Sequence, residues 1–174
     1  LLHDIGKPST YAVVDGRIRF NTHDKVGAEM TEDLLRRMRF PKQTVAEVGE
    51  LVRQHMVFKD VQQMRPATLK RFLRMANFEE HLALHRIDCL ASHGGLDSYP
   101  FCREQLAQLS QARLSPPPLL RGDDLVALGL EPGPLFGKIL AEVEDRQLEG
   151  ELQTRDDALS YVKQRYAIPG APSA

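Results

Sequence analysis

The chain has 174 residues, 42% hydrophobic and 27% charged, enough to bury one core or one core with a small appended module. Its 23 basic and 24 acidic side chains leave a formal charge of −1, which excludes a general polyanion binder; any nucleic-acid role must rest on a local basic patch. Cys89 and Cys102 lack the density of a disulfide scaffold and the spacing of a zinc ribbon, and no apolar run approaches the ~20 residues of a spanning helix. Reduced thiols in a cytoplasmic protein with no membrane partner are therefore expected.

The first residues, an apolar pair running into His3-Asp4 without an initiating Met, read as the interior of an element, so structure upstream of Leu1 is expected. From Tyr11 to Phe20 two short β-prone runs flank Asp15-Gly16, a strong short-range hairpin signal. Thr22 is placed to N-cap a helix to about Arg39, with Val26, Met30, Leu34 and Met38 at four-residue steps and Leu35 beside them. Pro41 suits the first turn of the next helix, which should bury Val45, Val48, Leu51 and Val52 and carry His55 on the same stripe. Pro66 opens a helix with Leu69, Phe72, Leu73 and Ala76 inward and Arg65, Lys70, Arg71 and Arg74 over much of the rest. A helix from about Phe78 to Ser92 should bury Leu84, Ile87 and Ala91, with Asp88 among them, until Gly94-Gly95 stops it; His93 reads as a loop residue. Residues 97–113 carry one more amphipathic helix, with Cys102, Leu106 and Leu109 on one side.

Ser115-Pro116-Pro117-Pro118 excludes helix and marks the clearest boundary. Beyond it a short helix over 122–128 should end near Gly129, and Pro132-Gly133-Pro134 leads into a longer one through Phe136, Ile139, Leu140 and Val143 to Gly150. Thr154 and Asp157 have capping-box spacing ahead of a last helix through Tyr166, and Pro169 to Ala174 should fray. The expected fold is all-α with one small β-hairpin: a helical domain over 1–113 and a short helical tail over 114–174.

His3 and Asp4 are adjacent, so on a helix they point about 100° apart, yet they can converge at a helix end before Gly6 and Pro8. An imidazole and a carboxylate that meet groups from other helices suit a divalent metal, which takes mixed nitrogen and oxygen ligands and activates water. His23 at a helix start, His55 on an apolar stripe and Asp88 on another extend the set. Plainer explanations exist: a satisfied core histidine for His55, and an arginine salt bridge or a helix cap for Asp88. Lys7 stands where an ammonium can neutralise charge on an entering phosphate. His81 and His85 share a stripe with Asp88, either a competing metal set or an exposed polar face. Lys70, Arg71 and Arg74 form the local basic patch, a solvated face or a phosphate contact, without interleaved aromatics. No Walker-type phosphate loop is present.

The order His3-Asp4, His23, His55, Asp88 resembles the HD superfamily of metal-dependent phosphohydrolases, whose first His lies upstream of the dyad. A closer similarity spans nearly the whole chain. Leu1-Leu2-His3-Asp4-Ile5-Gly6-Lys7-Pro8, Asn21-Thr22-His23-Asp24-Lys25-Val26-Gly27-Ala28, Leu51-Val52-Arg53-Gln54-His55-Met56 and Arg86-Ile87-Asp88-Cys89-Leu90-Ala91-Ser92 look like the C-terminal half of bacterial tRNA nucleotidyltransferase/poly(A) polymerase family proteins. Arg121-Gly122-Asp123-Asp124-Leu125 and Gln147-Leu148-Glu149-Gly150 are similar to that family's region after the HD segment.

The resemblance implies an HD-type helical core, with nucleotidyl transfer confined to an N-terminal head whose magnesium-binding carboxylates are not among these residues. It implies for this chain a divalent ion (magnesium, manganese, nickel or another transition metal) on His3, Asp4 and Asp88, with a second on His23 and His55. Asp4 and Lys7 would be catalytic, acting as a phosphatase or cyclic phosphodiesterase on a nucleotide or cyclic-phosphate substrate. tRNA or another RNA would be the partner of the whole protein, contacted through Lys70, Arg71 and Arg74. Two other readings stand beside this one. A noncatalytic RNA-binding body with a relic HD site would lose RNA on charge reversal of the basic patch while binding no metal. A stand-alone HD nucleotide phosphohydrolase would have no nucleotidyltransferase head upstream.

Overall fold

The computed structural model describes residues 2–92 and 94–166, with backbone alone at 111 and 112; the expectations for His93 and for Pro169 to Ala174 lie outside those residues. A 3-10 turn over Pro8–Thr10 leads into β1 (Ala12–Val14) and β2 (Arg17–Arg19), which pair antiparallel with Val13 opposite Ile18. Asp15 and Gly16 have φ of 50° and 70°, the two left-handed positions of a two-residue hairpin turn. There follow α1 (His23–Arg37), α2 (Lys42–Gln54), a 3-10 stretch over His55–Gln63, α3 (Pro66–Leu73) and α4 (Phe78–Ser92). The remaining helices are α5 (Ser98–Gln108), α6 (Gln111–Leu114), α7 (Gly122–Ala127), α8 (Pro134–Glu149) and α9 (Arg155–Arg165). The fold is mostly helical with one small hairpin, as the sequence predicts, and no helix among the described residues is long and apolar enough to cross a membrane.

The residues group into two compact units, one of Leu1–Gln63 with Met75–Gln105 and the other of Met64–Arg74 with Leu106–Ala174. In the first unit α1 and α2 meet through small residues. A Cβ on Gly27 would touch the Val52 side chain at 3.4 Å, and one on Gly49 would crowd Glu32 Cγ at 2.7 Å. The buried face of α1 is therefore His23, Gly27, Ala28, Thr31 and Leu35. The stripe expected from apolar periodicity is not the buried face: Val26 and Leu34 are half-buried, and Met30 and Met38 are 38% and 60% exposed. Nor does Thr22 cap α1: its φ is 65° and its hydroxyl turns to the Asn21 carbonyl instead of the helix N–H groups.

A second correction concerns α4. It buries Phe78, His81, Leu82, His85 and Cys89, whereas Ile87 is 64% exposed and Ala91 is also outside. The expected polar face is the inner one, because the His85 ring stacks on buried Phe58 with centroids 4.6 Å apart and planes 10° from parallel. Cys89 and Cys102 are buried free thiols. Burial pushes the Cys102 thiol up to about 11, so both chemistry and access keep it inert.

In the second unit a core of Leu120, Leu125, Ile139, Val143, Ala158 and Val162 joins α7, α8 and α9. Gly150 ends α8 at φ 85°, and Thr154 with Asp157 makes the reciprocal capping box at the start of α9. Although α3 precedes α4 in sequence, it packs on α8 and α6. Ala76, expected inward just beyond it, is exposed.

Candidate metal centre

Residues 3–7 form a run of turns instead of the helix end expected for the dyad, with Ile5 N–H donating to Leu2 O at 3.1 Å and Lys7 N–H to Asp4 O at 3.0 Å. Gly6 locks this run against the start of α1. A Cβ there would collide with the His23 carbonyl oxygen and lie 2.7 Å from the Gly27 nitrogen, so only glycine permits the approach. That contact sets Asp4 beside the first residue of α1, His23. His55, the first residue after α2, is brought to the same point by the close α1 and α2 packing.

The three side chains form one donor cluster: their ligating atoms all lie within 4.8 Å of one another. His23 Nε2 stands 3.5 Å from Asp4 Oδ1, and His55 Nε2 stands 4.0 Å from the same oxygen. The two imidazole Nε2 atoms face each other at 3.2 Å. Each ring has its other nitrogen on a backbone carbonyl, His23 Nδ1 on Phe20 O at 2.8 Å and His55 Nδ1 on Val52 O at 2.5 Å. A carbonyl only accepts, so Nδ1–H must donate, and in the neutral rings both Nε2 atoms carry lone pairs. Burial, with His23 and His3 nearby, outweighs the Val52 hydrogen bond and lowers the His55 pKa, which keeps that ring neutral at pH 7.

Two lone pairs and a carboxylate oxygen turned to one point are a donor set for a cation. Ligand atoms that share one ion at bonds of about 2.1 Å stand roughly 3.0–3.4 Å apart, close to the spacings of His23 with His55 and with Asp4. Imidazole nitrogen with carboxylate oxygen suits first-row transition dications, without selecting among them. The residues thus fit a divalent metal ion of unspecified identity.

The other two candidate ligands lie at the edge of the cluster. His3 Nε2 is 3.2 Å from Asp88 Oδ1 and 3.4 Å from Asp4 Oδ2, and its ring meets His55 edge-on at 5.2 Å. His3 Nδ1 is buried with no hydrogen-bond partner among the described residues. Asp4 stands between the two sets read from the sequence: its Oδ1 faces His23 and His55, and its Oδ2 faces His3, which also meets Asp88. Lys7 Nζ donates to Asp4 Oδ2 at 2.6 Å and stands 5.8 Å from the Phe20 ring centre. Burial works to raise the Asp4 pKa, but the Lys7 hydrogen bond and the charges of His3, Lys7 and His23 together lower it.

Lys70, Arg71 and Arg74 belong to the second unit and are engaged there. Lys70 Nζ donates to Leu148 O at 2.5 Å, Arg71 reaches Glu144 at 2.7 Å and Asp145, and Arg74 pairs with Glu144. His81 is buried, with Nδ1 lacking a hydrogen-bond partner among the described residues, and burial lowers its pKa against the pull of Glu50 and Glu80. Sequence reasoning missed the backbone carbonyls of Phe20 and Val52, each three residues before the histidine it orients. The i, i−3 spacing was visible, but it marks a tautomer-setting bond only once both chain directions are known. Gly6 was missed as well, although a Cβ there would meet the backbone of α1 at His23 and Gly27.

A family model described as HD domain matches residues 1–92. The chain is 37% identical over 185 aligned positions to the A-adding tRNA nucleotidyltransferase of Deinococcus radiodurans, covering 98% of this chain and 42% of that protein. It is 34% identical over 166 positions to the CC-adding tRNA nucleotidyltransferase of Thermus thermophilus, covering 93% and 38%. An A-adding tRNA nucleotidyltransferase of Halalkalibacterium halodurans matches over 69 positions at 38% identity, 40% of this chain and 14% of that protein. The chain therefore spans about two-fifths of the length of the two relatives it matches throughout. No solved structure matches it significantly.

Proposed function

This chain belongs to the HD domain family, and from that premise we propose that it is the HD-containing C-terminal part of a tRNA nucleotidyltransferase-like protein with a metal-dependent phosphohydrolase site. The observation that carries the reading is the pair of imidazoles whose Nδ1 atoms sit on backbone carbonyls and whose Nε2 atoms face each other at 3.2 Å beside the Asp4 carboxylate. Asp4, His23 and His55 would hold a divalent ion, with His3 and Asp88 lining the adjoining position. Such an ion supplies Lewis acidity, polarising a phosphoryl oxygen and lowering the pKa of water.

The chain's own residues supply the rest. Lys7, on Asp4 Oδ2, holds an ammonium where charge grows on the phosphate oxygens. The Phe20 and Val52 carbonyls fix the tautomers of His23 and His55, so both rings present acceptors, not N–H groups. Asp88, about one-third exposed, keeps the His3 ring oriented at the open side. The substrates are phosphomonoesters or cyclic phosphates of nucleotides, and the whole protein acts on tRNA in the cytoplasm. Lys70, Arg71 and Arg74 would contact that RNA by exchanging their Glu144 and Asp145 partners for phosphates.

The test is release of inorganic phosphate, and opening of nucleoside cyclic phosphates, by the chain with magnesium, manganese, cobalt or nickel. Activity should require the added ion, be abolished by chelator and fall to background in His55→Ala/Asp88→Ala. Full activity in that double variant would overturn the reading.

A further inference from the structure

The hairpin leaves and re-enters the chain at the metal centre. Lys7, whose ammonium lies on Asp4, is followed by the 3-10 turn and β1; β2 runs into Phe20, whose carbonyl holds His23. The stalk is closed by the Tyr11 and Phe20 rings, 6.0 Å apart, with Lys7 over the Phe20 face. At about 3.3 Å per residue, Arg17 lies roughly 10 Å along the strand from Phe20, so the arm rises from the rim of the site.

All six strand residues are exposed, on both faces of the ribbon. One face carries Val13 and Ile18, 59% and 58% exposed and directly opposite each other. The other carries Arg17 and Arg19, facing Val14 and Ala12. A two-stranded hairpin that buries neither face gains little stability from these side chains, so the core does not account for their exposure. Neither arginine pairs with a carboxylate among the described residues. Two unpaired guanidinium groups about 7 Å apart along one strand, next to a centre suited to phosphate chemistry, match consecutive phosphates of an extended nucleic-acid strand.

We propose that β1 and β2 form an arm that grips the backbone of a single-stranded polynucleotide whose end enters the metal centre, with Arg17 and Arg19 as the phosphate contacts. The end-directed part rests on the phosphohydrolase reading above; the grip itself does not. Val13 and Ile18 provide the apolar surface on which an unstacked base can lie, so the arm selects oligonucleotide ends over mononucleotides.

Binding without turnover tests this. A fluorescent single-stranded RNA oligonucleotide is titrated with the 174-residue chain at several salt concentrations, and the same is done for Arg17→Ala/Arg19→Ala and the charge-matched control Lys42→Ala/Lys59→Ala. Removing two phosphate contacts should weaken binding about ten-fold or more and lower the slope of log K against log salt by about 1.4. The control should keep the wild-type slope, and Arg17→Lys/Arg19→Lys should recover most of the slope because the charges remain. Circular dichroism confirms that these exposed variants are folded. No RNA binding by the wild type, equal losses in the arginine and lysine pairs, or displacement of the RNA by a polyglutamate peptide at equal charge concentration would each overturn the arm. If the wild type binds with the expected slope yet hydrolyses no phosphate, the arm stands and the phosphohydrolase reading fails.

Discussion

At the scale of single residues, the site depends on where protons sit and how closely backbones approach. His23 and His55 each spend Nδ1–H on a carbonyl, so each has its lone pair toward Asp4. Lys7 then differs in kind from the ligands: it touches Asp4 but offers its charge outward. Lys7→Gln should leave metal affinity within a few-fold of wild type and cut kcat by about 100-fold, the cost of removing one positioned donor to a developing oxyanion. A steady-state assay with the metal saturated separates the two effects, and equal losses in both would argue against this role. Gly6 carries a different prediction. Because a Cβ there meets the α1 backbone at His23 and Gly27, Gly6→Ala should destabilise the first unit by about 1–3 kcal/mol and weaken metal binding with it. Urea unfolding with tryptophan-free detection, by circular dichroism, gives the number; an unchanged midpoint would show that the turn yields at no cost.

At the scale of elements, the sequence was a good guide to where helices lie and a poorer one to which face they bury. The hairpin, the start and stop of α8 and the cap of α9 followed from local chemistry: Asp15-Gly16 tolerates two positive φ angles, Gly150 another, and Thr154 with Asp157 satisfies orphan N–H groups. Faces are chosen by partners, which the sequence does not display. α1 packs by its small residues because glycines let it approach α2 and Gly6, so the larger Met30 and Met38 are left outside. In α4 apolar residues occur on both sides, and the Phe58 ring decides for His85 over Ile87.

Two predictions belong at this level. Thr154→Ala should cost about 1 kcal/mol by opening the capping box of α9, measurable as a shift of the denaturant midpoint. Burial tends to raise the Glu144 pKa, but hydrogen bonds from Arg74 and Arg71 outweigh it and hold the carboxyl below its ordinary 4.5. A depressed folded pKa means that the ion pairs contribute stability above about pH 4.5 and lose it as pH falls through the lower folded value. Between roughly pH 6 and pH 3, the Tm of wild type should therefore fall further than that of Glu144→Gln. Parallel curves would remove Glu144 from the account of acid sensitivity.

At the scale of the whole molecule, the five residues singled out from the sequence, His3, Asp4, His23, His55 and Asp88, come from a turn, a helix start, a 3-10 stretch and a later helix, and they meet within one unit. Their order along the chain was legible because each is a polar residue in an apolar or turn setting. That Asp4 turns one oxygen to His23 and His55 and the other to His3 was not, since it depends on the Gly6 contact and on the two carbonyls. The basic patch was equally visible as composition. Its engagement with Glu144 and Asp145 was not, because those carboxylates lie some seventy positions further along the chain.

The central claim, a divalent-metal centre on Asp4, His23 and His55, is tested most directly by titrating the chain with cobalt(II) and following its visible absorption. The account predicts a saturable spectrum of mixed nitrogen and oxygen ligation that is lost in the near-isosteric Asp4→Asn and in His23→Gln, both folded by circular dichroism. A wild-type chain that develops no such spectrum, or variants that bind cobalt as the wild type does, would contradict it.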